Sequence, residues 1–424
     1  MQDLLPKAAF VLSVGVLGFA YGFATEAWNL FPRSYVETAW RQARALYRSP
    51  SKDFLHRRVY ERSGTRTLDS ARAQPGLTLV TSWWKEDDWE MKARLIGQGG
   101  EVVHEWQVDG EALFPDARRQ QPYPHGTHLF RDGDLLMNVE YGGTVRLNAC
   151  SEVQWRVAAG SHHSIAQTDD GAFWIPGTLP ERRRGSSAYP DGYPGLGLVW
   201  QDQIMKVTEN GDVLKKLNVL DILYKNDLQR YLVKAGKYRG DVVHLNDVEP
   251  LPGALADEYP RFDAGDLMVS LREVHLVFVF DPETGEVKWH ASDPFHKQHD
   301  PDFTGDGWIG VFDNNTDFRG GSLLGGTRIF SLQPHRGNRK VRFSAEHLDR
   351  FYTPFAGKWQ ELENGNLLLT EAFAGRVVEV GPDGHMVWEW IKDTDGRSRV
   401  AEVMEGTRYD LAKSDVNEWA CSPE

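Results

Sequence analysis

Cysteine is nearly absent. The 424 residues hold two, Cys150 and Cys421, and neither lies in a CxxC pair, which argues against a thiolate zinc site. Two readings stay open: a single disulfide pinning the C-terminal tail in an oxidising compartment, or two unrelated free thiols. Positive charge is outweighed as well, with 48 Lys and Arg against 61 Asp and Glu, a net charge of −13. Nucleic acid is therefore not an expected partner, because phosphate binding needs a basic surface. The short run ERRRG, 181–185, sits in a Pro/Gly-rich stretch and reads as solvated.

Long apolar runs are missing too, with one exception. AAFVLSVGVLGFAYGFA, 8–24, is uncharged and near the lower length limit of about 17 residues for a spanning helix. Its small-residue cleavage signal, in GFATEAW, is weak, so an uncleaved membrane anchor is expected over 1–24. Lys7 precedes it, whereas Arg33, Arg41, Arg44 and Arg48 follow, and this count does not favour export of the C-terminal part. No second spanning segment follows, and N-terminal anchors commonly lead an exported domain. The expectation is therefore inner-membrane anchoring with the remainder facing the periplasm. The helical stripe Tyr35, Ala39, Ala43 and Leu46, ended by Pro50, predicts a stalk helix within a 25–75 stalk and linker.

What the chain has in quantity is aromatics and glycine: 15 Trp, 20 Phe, 14 Tyr and 41 Gly. These favour strands and tight turns. From about residue 76 a unit repeats. PHGTHLFRDGDLLMNVEYGGTVRLNACSEVQWRV from 124 and GKWQELENGNLLLTEAFAGRVVEVGPDGHMVWEW from 357 share a polar start, a D/N-G turn, an apolar strand, a second strand and a closing strand with Trp. Further copies begin near 77, 162, 244 and 298. Four short strands per unit at 40–50 residues is the pattern of a propeller. The predicted fold is all-β, a six-bladed β-propeller over 76–412 with a tail at 413–424, and SRVAEVMEGTRY, 398–409, is expected to complete a blade. A two-sheet sandwich is the competing fold, but it leaves the regular D/N-G turns without explanation. The recurring Trp106, Trp155, Trp289 and Trp388 are expected to pack between blades.

Aligned on those turns, His125, His163 and His299 each fall seven residues ahead of the turn, and His244 falls close to the same place. In a propeller these positions open the innermost strands at one channel mouth. A single histidine there is most simply a strand cap. Several at equivalent positions suggest either a transition-metal site or a nucleophile with acid/base partners acting on an anionic substrate. Arg272 and Arg319, expected beside the same face, suit sulfate or phosphate oxygens and oppose a metal. The functional alternatives are thus an oxyanion-transfer enzyme, a metal-dependent hydrolase, and a non-catalytic propeller that binds an envelope protein partner.

HLNDVEPL followed by DLMVSLR, then QHDPDFTGDGWIGVFDNN with an Arg after it, then FYTPFAGKWQELENGNLLLT, resembles the bacterial arylsulfotransferase family over about 120–417. The resemblance implies an envelope propeller that moves a sulfuryl group from an aryl sulfate to a phenol or other hydroxyl acceptor through a sulfohistidine, with no nucleotide sulfate donor and no cofactor. By the same resemblance His299 is the nucleophile, and His244 and Asn246 belong to the sulfate pocket. Arg272 is the sulfate-binding arginine, and His163 is the earlier-blade histidine with His162 as the register alternative. Arg319 matches the arginine after DN. His125, brought to the mouth by the repeat alignment rather than by the resemblance, is a further candidate binding residue. Asp300 stands where the family often has Thr, and the loop between His244 and Arg272 is longer than the family pattern.

The stretch DFTGDGWIGVFD, 302–313, also matches the EF-hand spacing. Asp302, Thr304, Asp306 and Asp313 are therefore candidate calcium ligands. Against this, WIGVF reads as a strand, and an Asp-rich turn between blade strands is the plainer expectation.

Overall fold

The computed structural model describes residues 4–28, 53–118, 122–232, 240–396 and 398–419. The expected stalk helix and Cys421 lie outside them. The chain divides into two units, 1–53 and 54–424. In the first, Leu4–Trp28 is helical, and Phe10, Leu12, Leu17 and Phe19 stand 69–78% exposed. No helix among the described residues is long and apolar enough to cross a membrane, which departs from the expected spanning anchor.

The second unit is a ring of six antiparallel sheets, each a blade. Blades 2 to 5 are consecutive meanders that open on Pro124–Leu129, Ala166–Gln167, Leu245–Pro250 and His299–Phe303. Blade 6 opens on Trp359–Glu361, and its outer edge gains a fifth strand, Gly64–Thr67, from the start of the unit. Blade 1 closes the ring. Its innermost strand is Val403–Tyr409, paired with Leu77–Lys85 from the other end of the chain, as expected from 398–409. Pairing segments far apart in the chain within one blade makes closure a long-range event. Residues 53–75 are more ordered than a linker. Leu55–Arg57 pairs with Arg399–Ala401, and Tyr60 bonds Arg376 and Glu371 inside blade 6.

The turns follow from local chemistry. Asp132, Asn364 and Asp383 each accept the backbone N–H two residues on, the Asx-turn bond that lets a short polar side chain stand in for backbone. The glycine that follows takes positive φ, +89° at Gly133 and +82° at Gly365, where a Cβ would be strained.

The apolar core lies between adjacent blades. Ile204 of blade 3 packs with Leu245, Val269, Phe278 and Phe280 of blade 4. Full burial of such a side chain contributes about 1.5–3 kcal/mol. The outer-strand tryptophans knit the ring. Trp106, Trp155 and Trp388 each donate Nε1–H to a hairpin carbonyl of the next blade, those of Gly133, Glu209 and Gln98, at 2.9–3.0 Å. Trp289 instead packs against Phe262.

At the C-terminal end, helix Lys413–Asn417 brings Val416 and Trp419 into the core of blades 1 and 2, so the tail is packed rather than trailing. Cys150 is disulfide-bonded.

Candidate active site

The entries to the innermost strands converge. An opening of about 380 Å³ at the channel is lined by residues of all six blades, among them His125, His163, Asn246, His299, Ala356 and Met404. Each entry is kinked, and several kinks use left-handed backbone at a side-chain-bearing residue: φ is 57° at His163, 53° at His244 and 54° at Ala356. Such conformations persist where the surroundings hold them, and here neighbouring blades do so. Asn138 of blade 2 donates to the carbonyls of His163 and Ser164. Gly126 N–H donates to the His163 carbonyl at 2.9 Å.

Five imidazoles meet at this mouth. Ring centres lie 4.2 Å apart for His125 and His163, 5.1 Å for His163 and His244, 6.4 Å for His162 and His244, and 6.2 Å for His163 and His299. His162 and His163 share a proton between their Nδ1 atoms at 2.8 Å. Burial, then neighbouring positive charge, holds His162, His163 and His299 well below the usual histidine range; for His299 the neighbour is Arg272. The cluster is therefore mostly uncharged, with lone pairs and N–H groups available for an anion.

His299 is held in one tautomer. Its Nδ1 lies 2.6 Å from Asn314 Oδ1 and 3.0 Å from the Lys297 carbonyl. Asn314 Nδ2 donates to the carbonyls of Thr353 and Ala356, so its oxygen must face the imidazole. Nδ1 therefore carries the hydrogen, and the Nε2 lone pair remains, meeting the Ala356 N–H at 3.2 Å. His244 is held differently: Asp241 Oδ2 lies 2.5 Å from its Nδ1, and its Nε2 is buried without a partner.

Arg272 belongs to the same neighbourhood. Its guanidinium bonds Glu273 at 3.1 Å and covers the Phe355 ring. Asn246 is in the channel, but its Nδ2 donates to the Gln298 carbonyl and its Oδ1 is unpartnered. Arg319 is exposed on the loop after the blade-5 strand, where Asp317 gathers the backbone N–H groups of Arg319, Gly321 and Leu323. Its side chain is not among the groups that line the channel.

The proposed calcium ligands do not assemble. Residues 302–313 form the ends of two strands, His299–Phe303 and Ile309–Asp313, joined by a short turn, so they do not wrap a point in space as an EF-hand loop does. Asp302 faces the channel carboxylates that raise its pKa after burial has done so. Thr304 donates to the Trp308 carbonyl, and the Asp306 N–H donates to Glu258. Asp313 sits at the far end of its strand, bonded to the His296 N–H and Arg328. No group of three or more His, Cys, Asp or Glu among the described residues could hold a metal ion.

Several site residues escaped the repeat alignment. The same opening is also lined by Asp247, Asp300, Glu405 and Lys358. Lys358 bonds Glu405 at 3.1 Å. Asp300 does not orient His299; its carboxylate accepts the Trp359 N–H at 2.7 Å, and burial raises its pKa to about 6 against the pull of Lys358. Asp241 carries a sequence signal, three residues ahead of His244, and Asn314 lies in the DNN following the WIGVF strand. Lys358 and Glu405 have none, because they reach the site only when distant blades close.

A family model described as Arylsulfotransferase (ASST) matches residues 128–393. No curated protein matches the sequence. Among solved structures, a protein of unknown function from Bacteroides caccae shares 15% identity, with 75% of this chain and 94% of that chain covered and a TM-score of 0.47. A streptogramin B lyase structure shares 12% identity over 79% of this chain and 89% of that one, with a TM-score of 0.41.

Proposed function

We propose that this chain, which belongs to the arylsulfotransferase family, moves a sulfuryl group from an aryl sulfate to a hydroxyl acceptor by way of a covalent intermediate on His299 Nε2. The observation that carries this is the locked imidazole. Asn314 and the Lys297 carbonyl take the Nδ1 hydrogen, so the nitrogen left with a lone pair is the one at the Ala356 N–H. An unprotonated imidazole is the nucleophile that such a transfer needs.

In the first half-reaction the Nε2 lone pair bonds to sulfur, the S–O bond to the aryl group breaks, and its electron pair leaves on the phenolic oxygen. Negative charge stays spread over the sulfuryl oxygens. Arg272, the imidazole N–H groups and the Ala356 N–H, released from Nε2, are the donors at hand. In the second half an acceptor oxygen bonds to sulfur as the N–S bond breaks. The identity of the acceptor beyond a hydroxyl does not follow from these residues. The disulfide at Cys150 supports an oxidising compartment, and we place the activity outside the cytoplasm on that ground.

The test is intact-mass spectrometry after brief mixing with 4-nitrophenyl sulfate. Wild type should gain about 80 Da, the mass of a sulfuryl adduct on a covalent catalyst, and His299→Ala should not. An adduct on both proteins, or phenol release by His299→Ala at the wild-type rate, would remove His299 from the mechanism.

A further inference from the structure

His299 and His244 are held by opposite chemistry. The partner of His299 is a neutral amide; the partner of His244 is a carboxylate. Asp241 accepts both the backbone N–H of His244, at 3.0 Å, and its Nδ1, at 2.5 Å. Together these bonds brace a residue whose φ is 53°. The carboxylate is kept ionised: burial opposes its charge, but His244, Arg272 and Arg118 outweigh burial and hold it well below the usual range. The free end of the same imidazole, Nε2, is buried without a partner, with His163 edge-on at 5.1 Å.

A carboxylate on Nδ1 does two things. It keeps hydrogen on Nδ1 in the neutral ring, leaving Nε2 as a base. It also stabilises the imidazolium once Nε2 gains a proton. His162 and His163 have only each other at Nδ1, and His299 has Asn314. Resting on the sulfuryl-transfer reading above, we propose that Asp241 is a positioning residue that makes His244 the proton donor and acceptor of the reaction. As the aryl–oxygen bond to sulfur breaks, its electron pair takes the Nε2 proton of protonated His244, releasing a neutral phenol and neutral imidazole. When the acceptor attacks the sulfohistidine, its hydroxyl proton returns to His244 Nε2, and the cycle closes with no net proton change.

A proton donor matters most when the leaving group is poor. The experiment therefore compares 4-nitrophenyl sulfate, whose phenolate leaves readily, with phenyl sulfate, in wild type, Asp241→Asn and Asp241→Glu. Asp241→Asn should lose about 10²–10³-fold in kcat on phenyl sulfate, within the range of about 10²–10⁴-fold for general-acid contributions, and less than about tenfold on 4-nitrophenyl sulfate. Asp241→Glu should recover part of the phenyl sulfate rate. Adduct formation from 4-nitrophenyl sulfate reports that the variant site is folded. Should Asp241→Asn fail to fold, His244→Gln serves instead and should show the same donor dependence. Equal losses on both donors, in whichever variant folds, would overturn the role of Asp241. A wild type that releases no phenol from either donor would instead sink the sulfuryl-transfer reading, and this proposal with it.

Discussion

Asn314 Oδ1 lies 2.6 Å from His299 Nδ1, and the two hydrogens of the same amide are spent on the carbonyls of Thr353 and Ala356. One buried side chain thereby ties the second strand of blade 5 to the entry of blade 6 and sets which nitrogen of His299 is free. Asn314→Ala removes both functions. The expected outcome is a loss of about 10–100-fold in kcat, typical of an outer-shell partner of a reacting group, and of about 1–3 kcal/mol in stability from orphaned buried polar groups. Steady-state kinetics and urea unfolding check the two effects separately.

The carboxylates lining the opening make stability depend on pH. Burial, and then Asp300, pushes Asp247 up to about 7, whereas in the unfolded chain it titrates near 3.9. The folded state thus binds more protons between these values, and the stability this site contributes is lost as pH rises through about 7. Asp247→Asn should raise the unfolding free energy by about 1–3 kcal/mol at pH 8, since an uncompensated buried charge costs several kcal/mol. The gain should shrink as pH falls towards 4. Thermal melts across that range would reveal a pH-independent gain, which would contradict the assignment.

Arg376 is fully buried between Glu371 and Glu389, themselves fully buried, and it also bonds the Tyr60 hydroxyl at 2.9 Å. It fastens the segment before residue 76 to blade 6. Arg376→Met removes one partner from each carboxylate, leaving Glu371 the Tyr60 hydroxyl and Glu389 the Arg62 guanidinium, and a loss of about 1–3 kcal/mol is expected. Chemical denaturation measures it, and proteolysis should cut first within 54–67.

Gly126 sits where blades 2 and 3 touch under His163. A Cβ there would lie 2.2 Å from the His163 carbonyl oxygen and 2.8 Å from Ser164 Cα, both backbone atoms. Gly126→Ala must therefore push the two inner strands apart, at about 1–3 kcal/mol, the usual cost of overpacking. Because the displaced residue is a mouth histidine, kcat should fall as well. A variant with wild-type melting temperature and rate would contradict the close approach.

Much of this was legible because a propeller is written in short range. The D/N-G turns, the alternating strands and the outer-strand tryptophans recur at a fixed spacing, so blade count and the level of His125, His163, His244 and His299 follow from alignment. The EF-hand match misled because spacing alone does not say whether a segment is a loop or two strands. In this chain Ile309–Asp313 is a buried strand, and burial of its apolar residues outweighs any gathering of oxygens. The resemblance put Asn246 in the pocket without its partner; the fold supplies one, the Gln298 carbonyl, to which Asn246 Nδ2 donates.

The sequence by itself determined the repeat, and through it which residues open each inner strand, because turn chemistry and strand alternation act between neighbours in the chain. Only the tertiary structure decided what each histidine is bonded to. Asn314 reaches His299 across a hairpin, Lys358 meets Glu405 only when the last strand closes the ring, and the withdrawal of the imidazoles from water depends on all six blades arriving together. Proton affinity and tautomer are set by burial and by partners a few ångströms away, and those distances do not exist until the ring is shut.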